Sequence, residues 1–167
     1  FTLKVTDGSG ATDSETLTIT IVATNDTPEL SATLTAHTYT DTAADNTFTS
    51  VTGTLSRTDR DTGDTATYSI DGQGGDTSRG GFTHSKAGSY GTLYLNSGTG
   101  AYEYVPNDAA IEGRKSGDTD SFTLTVTDGS GATDSETLTI TIVATNDTPV
   151  LTASKTAHTY IDSAGDD

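Results

Sequence analysis

The chain repeats itself. The run FTLKVTDGSGATDSETLTITIVATNDTP that begins at Phe1 returns at Phe122 with one change, Lys4 becoming Thr125. The match continues past the proline, where His37, Thr38, Tyr39 and Asp41 recur as His158, Thr159, Tyr160 and Asp162. The copies stand 121 residues apart, and about four in five overlapping positions are identical. Such a period is too long for a solenoid repeat and suits one complete β-domain per unit. The expected organisation places the last two strands of a preceding repeat in residues 1–24, one complete repeat in 25–145, and the start of the following repeat in 146–167.

Within the unit the apolar pattern has period two. Phe122, Leu124 and Val126 alternate with Thr123, Thr125 and Thr127, and Leu138, Ile140 and Ile142 alternate with Thr137, Thr139 and Thr141. That spacing puts the apolar set on one sheet face and the threonines on the other. Asp128-Gly129-Ser130-Gly131-Ala132 lies between the runs and reads as a hairpin turn. A second hairpin joins 90–96 to 101–105, with Leu93, Leu95, Tyr102 and Tyr104 facing inward. Further strands are expected over 30–36, 48–56 and 65–70. Residues 107–113 form the only helix-like stretch, one or two turns capped by Asn107 or Asp108. The Gly- and Ser-rich segment 71–91 reads as a long loop. Short strands with turns between them over about 120 residues predict an all-β, two-sheet sandwich with one short helix per repeat.

Composition narrows the functions. Lys and Arg number 8 against 24 Asp and Glu, so the formal net charge is −16, which disfavours nucleic acid as a partner. No apolar run is long enough to cross a bilayer as a helix, so no membrane insertion is expected. The absence of cysteine removes disulfides, thiolate nucleophiles and Cys-type zinc sites. The hydrophobic fraction is only 31%, so the expected core is modest and something besides it is expected to contribute to stability. The acid is mostly Asp, a loop residue and a hard-cation ligand.

Asp59, Asp61 and Asp64 place three carboxylates in one short segment around Gly63, with Arg60 the only base among them. Converging carboxylates repel unless a cation lies between them, and Ca2+ takes six to eight oxygen ligands. Asn25-Asp26 and Asn146-Asp147, each followed by Thr-Pro at a repeat boundary, offer complementary ligands. Asp128, Asp134 and Glu136, with their equivalents Asp7, Asp13 and Glu15, flank a hairpin turn and extend the set. The alternative for all of these is ordinary solvated turn chemistry. No second His lies at zinc-ligand spacing from His37, His84 or His158 in the sequence. There is no GxSxG and no P-loop lysine motif, so no enzyme activity is expected.

The run from Phe122 to Pro149 resembles the closing half of the VCBS repeat of giant bacterial surface proteins, many of them RTX adhesins. Val51-Thr52-Gly53-Thr54-Leu55, DRDTGDTATYSI and YGTLYLNSGTGAYEYVPNDAA resemble its opening and middle. The resemblance implies a secreted, tandemly repeated, cadherin-like or Ig-like β-sandwich that extends an adhesin or filament from the bacterial cell surface. More distantly the unit resembles cadherins. Asp59 and Asp61 match the cadherin DxD element, and Asn146-Asp147, with Asn25-Asp26, match its Asn-Asp linker. In cadherins those residues clamp calcium between successive domains. Thr148 departs from the linker pattern, and no LDRE element is recognisable.

These readings converge on a structural repeat module whose partners are the neighbouring repeats, with Ca2+ at the junctions turning a flexible string into a rod. Two alternatives stay open. One is a module that grips a surface glycan or host protein through the 71–91 loop, with its Arg79, His84 and Lys86. The other is a self-assembling subunit that pairs with other copies in a fibre through exposed strands.

Overall fold

The computed structural model describes residues 1–149 and 151–159. Tyr160 and Asp162, the repeat partners of Tyr39 and Asp41, lie outside the described residues, as do residue 150 and the others of 160–167.

The chain begins with a hairpin of β1 (Thr2–Thr6) and β2 (Thr12–Thr16). There follow β3 (Glu29–Ala32), β4 (Ala36–Thr40), β5 (Val51–Thr58), β6 (Ala66–Ile70), β7 (Gly74–Gly75), β8 (His84–Ala87), β9 (Gly91–Leu95) and β10 (Ala101–Pro106). Helix α1 (Asp108–Glu112) leads to the long closing strands β11 (Asp118–Asp128) and β12 (Thr133–Val143). One sheet runs β3-β5-β10-β9-β8-β7 and the other β4-β12-β11-β6. All neighbours are antiparallel except β4 and β12, which are parallel.

Alternation governs which side chains meet. Along β11 every second residue turns inward, giving Asp120, Phe122, Leu124, Val126 and Asp128 buried. Leu138, Ile140 and Ile142 of β12 do the same. From the facing sheet come Leu55, Leu93, Leu95, Tyr102 and Tyr104, and the two sets form one core. Each such side chain contributes about 1.5–3 kcal/mol by leaving water. A file of rings runs through this core, with Tyr104 5.8 Å from Phe122 and 6.2 Å from Tyr39, and Tyr39 5.5 Å from Phe48. Gly53 leaves room for the Tyr102 ring, since a Cβ at that position would lie 2.2 Å from it.

Two expected strands and one expected loop need correction. The run 30–36 is two strands, β3 and β4, in different sheets. The chain switches sheets between them, and the Tyr102 hydroxyl holds the switch by donating to the Leu34 carbonyl and accepting from the Leu34 amide at 3.1 Å. The strand expected over 48–56 is displaced to Val51–Thr58. The 71–91 segment is not all loop. It carries β7 and β8, and β8 pairs with β9, so backbone hydrogen bonding organises the stretch despite its glycines. The helix forms where expected, capped by the Asn107 side chain accepting from the Ala110 amide.

The inward register of β11 ends in an acid at both limits. Asp120 and Asp128 are 5% and 6% exposed. They stand eight residue steps apart along the strand, about 26 Å at 3.3 Å per residue. Asp120 is consumed structurally. It accepts from the Ser89 and Tyr90 amides at 2.8 and 2.9 Å and from the Tyr104 hydroxyl at 2.8 Å, tying one sheet to the other. Burial, reinforced by Asp120, pushes the Tyr104 hydroxyl far above the ordinary phenol range.

Candidate functional site

At one end of the sandwich three segments distant in sequence converge. The loop after β5 carries Asp59, Asp61 and Asp64, the β11–β12 turn starts at Asp128, and the segment entering β3 carries Asn25 and Asp26. Asp59, Asp64 and Asp128 each present a carboxylate oxygen within 4.8 Å of the others. Two ligands on one Ca2+ lie at most roughly 5 Å apart, given metal–oxygen distances of about 2.3–2.6 Å, so one ion can span this triad.

The entering segment is bonded to the same cluster. The Asn25 side-chain amide donates to Asp128 at 2.9 Å, and the Asp26 backbone amide donates to Asp61 at 2.7 Å. The other Asp128 oxygen accepts from the turn amides of Ser130 and Ala132 at 2.9 and 2.7 Å. These donors, the Asn25 amide foremost, hold the Asp128 carboxyl below the usual carboxylate range against the opposing effect of burial. Asp64 Oδ1 accepts from Thr65 and Gly129. The approach requires a glycine at 129, because a Cβ there would sit 2.4 Å from that oxygen. Asp64 Oδ2 has essentially no solvent contact and no hydrogen-bond partner among the described residues. Asn25, Asp61, Asp64 and Ser130 border an adjoining open cavity of about 240 Å3.

Among the described residues one basic group reaches the cluster, and it is not the one the sequence suggested. Arg60 is exposed. Arg57 of β5 instead places Nη1 2.7 Å from Asp59 Oδ2 and donates through Nη2 to the Asp64 carbonyl. The Asp59 side chain is 5% exposed, so this ion pair is largely shielded from water.

The remaining acids expected at this site stand outside the Asp59–Asp64–Asp128 group. Asp134 accepts from the Leu30 amide at 2.8 Å and fixes the start of β3. Glu136 lies on β12 and joins no acidic cluster among the described residues. Asp7 is exposed in the β1–β2 hairpin and accepts from the Ser9 and Ala11 amides, as its equivalent Asp128 does from Ser130 and Ala132, and it too joins no described cluster.

Asn146 and Asp147 leave the opposite end, and there Asp147 meets two residues that local spacing did not single out. Asp41, Glu112 and Asp147 also present carboxylate oxygens within 4.8 Å of one another. Asp41 is 1% exposed. Its Oδ2 accepts from the Thr145 amide at 3.2 Å, while Oδ1 has no partner among the described residues. Glu112, at the end of α1, accepts from the Asn46 amide at 3.0 Å. Burial, then the negative charges of Asp41, Asp147 and Asp45, hold its carboxyl above the usual range even though that amide opposes them. Asp41, Glu112 and Asp147 take part in no ion pair with a Lys or Arg among the described residues. The one sequence signal for Asp41 was its return as Asp162 between neighbours that change. Nothing in local spacing marks Glu112 or Arg57.

The basic groups of the 71–91 segment have partners within the chain. Arg79 binds Glu103 with two hydrogen bonds of 2.7 and 2.6 Å and lies over the Tyr94 ring. Lys86 donates to the Asp71 carbonyl, and His84 Nδ1 lies 2.9 Å from the Thr83 hydroxyl. No described helix is long and apolar enough to cross a membrane.

Residues 25–144 match the family model described as "Bacterial cadherin-like domain". No curated protein matches the chain.

Proposed function

The chain belongs to the bacterial cadherin-like domain family, a structural and adhesive fold typically found outside the cell or at its surface, and we propose that it is a tandem-repeat module of a VCBS-type adhesin or filament stiffened by Ca2+ at its junctions. The observation that carries this reading is a pair of orphaned oxygens. Asp64 Oδ2 and Asp41 Oδ1 are each shielded, unpartnered and set among carboxylates, one at each end of the repeat. A shielded carboxylate oxygen without a donor costs about 1–3 kcal/mol or more, and a hard cation removes that cost at both places.

The chain's own residues shape the junction. Asn25 and the Asp26 amide fix the incoming segment onto Asp128 and Asp61, so cation binding to the triad acts on a segment already docked there. At the far end, the Asp41 carbonyl accepts from the Thr145 hydroxyl at 3.0 Å, and Asp41 Oδ2 accepts from the Thr145 amide. The departing segment is therefore held until Asp147 reaches Glu112. By repeat equivalence Asn146-Asp147 stands to the following repeat as Asn25-Asp26 stands to this one. A single dipeptide thus serves both sides of a junction, and calcium there fixes the angle between repeats.

Thermal melting of the full chain with calcium and with a chelator tests the proposal. Calcium at a hundredfold excess over its Kd stabilises the fold by about 2.7 kcal/mol per site and raises Tm. Superimposable melting curves contradict the proposal.

A further inference from the structure

The two ends of the repeat differ in one respect. At the end bearing Asp59, Asp64 and Asp128 a guanidinium is already in place, since Arg57 pairs with Asp59 Oδ2 at 2.7 Å and also holds the Asp64 carbonyl. At the end bearing Asp41, Glu112 and Asp147 no Lys or Arg forms an ion pair with any of the three among the described residues. Asp41, 1% exposed, keeps Oδ1 unpartnered there.

We propose that Arg57 is a resident counter-cation that competes with Ca2+ for Asp59, so that the two ends of one repeat fill in order, the Asp41–Glu112–Asp147 end first and the Arg57-guarded end second. The inference rests on the calcium reading above.

Two cations cannot share one carboxylate oxygen at contact distance without strong repulsion. Calcium using Asp59 Oδ2 must therefore displace Nη1, and calcium using the other oxygens must tolerate a neighbouring unit of positive charge. Either course lowers affinity. The guanidinium also does for the ion-free protein part of what the ion does afterwards, because it offsets the mutual repulsion of Asp59 and Asp64 and bonds across their loop. The Asp41 end has no such substitute. Glu112, Asp41 and Asp147 repel one another until an ion arrives, so binding there relieves more repulsion.

A consequence follows for the junction. At low calcium the departing segment is secured to its own repeat through Asp147. Only at higher calcium is the entering end locked, and the junction becomes rigid in two steps.

The test is calorimetric titration of the full chain with calcium chloride. The wild-type protein is expected to show two classes of site. Arg57→Gln is expected to tighten the weaker class by about tenfold or more while leaving the tighter class unchanged, and to lower Tm in chelator. Glu112→Gln is expected to weaken the tighter class alone. Arg57→Lys keeps the charge but lacks the planar fork that spans Asp59 and the Asp64 carbonyl. It is expected to fall between wild type and Arg57→Gln, and it serves if the glutamine variant folds poorly. A merely structural Arg57 would leave the ratio of the two affinities unmoved. Equal affinities in wild type, Arg57→Gln and Arg57→Lys overturn the inference while leaving the calcium reading standing. No heat of binding in any variant at millimolar calcium overturns both.

Discussion

Asp120→Ala is the substitution whose cost the structure defines most completely. The carboxylate serves three donors, the amides of Ser89 and Tyr90 and the hydroxyl of Tyr104. Ser89 is exposed, so its amide turns to water. Tyr90 and Tyr104 are 6% and 0% exposed, and their donors stay buried without acceptors at about 1–3 kcal/mol each. Release of a buried carboxylate returns part of this, and the net loss is expected near 3 kcal/mol. In a domain of this size that is a fall in Tm of roughly 10–15 °C. Urea unfolding followed by far-ultraviolet circular dichroism and tyrosine fluorescence measures it, and with seven Tyr and no Trp the fluorescence reports on the core rings. Tyr104→Phe alone is expected to cost about 1 kcal/mol, and the double variant less than the sum of the two by a similar amount, because the orphaned hydroxyl is then gone. A loss below about 1 kcal/mol for Asp120→Ala, or strict additivity in the cycle, refutes the bridging role.

The repeated sequence supplies a matched pair. Leu124 is fully buried and its equivalent Leu3 is 57% exposed, so Leu124→Ala is expected to cost about 2–5 kcal/mol in urea unfolding and Leu3→Ala within about 0.5 kcal/mol of nothing. Gly53→Ala drives a methyl into the Tyr102 ring and is expected to lose about 1–3 kcal/mol, read as a lowered urea midpoint at constant slope. The Arg79 guanidinium, through its hydrogen bonds, holds the Glu103 carboxyl below the usual carboxylate range, with burial opposing. Its folded pKa lies below its unfolded one, so the pair stabilises above the ordinary carboxylate range and the contribution is lost as pH falls through the folded value. Glu103→Gln is expected to flatten that acid limb by less than about 1 kcal/mol, since the Arg79 side chain is 40% exposed. Melting temperatures from pH 7 down through the carboxylate range check it.

The strands whose apolar residues alternate with Thr were legible from sequence because period two has one physical solution when one face must be buried. Phe122, Leu124, Val126, Leu138, Ile140 and Ile142 are all 1% exposed or less. The same letters in the first copy show the limit of that reading. Leu17, Ile19 and Ile21 repeat Leu138, Ile140 and Ile142, yet they lie outside any strand and are 45%, 62% and 88% exposed. Pattern gives a capacity to form a strand, and a neighbouring sheet edge such as β4 beside β12 realises it. The 30–36 run reads as one strand because a switch between sheets leaves no break in hydrophobic pattern, only the two hydrogen bonds between Leu34 and the Tyr102 hydroxyl.

The acidic loop was legible because Asp59, Asp61 and Asp64 are close in sequence. Its counter-charge was not, since Arg57 belongs to the preceding strand and reaches the loop through sheet geometry. Asp41, Glu112 and Asp147 come from a strand end, a helix end and a linker, and only the closed sandwich brings them together.

Crystals of the full chain grown in calcium, measured at a long X-ray wavelength where calcium scatters anomalously, address the account at its centre. Anomalous peaks are expected at about 2.3–2.6 Å from oxygens of Asp59, Asp64 and Asp128 and of Asp41, Glu112 and Asp147. Water-strength density without anomalous signal at both places, with Arg57 still on Asp59, would contradict it.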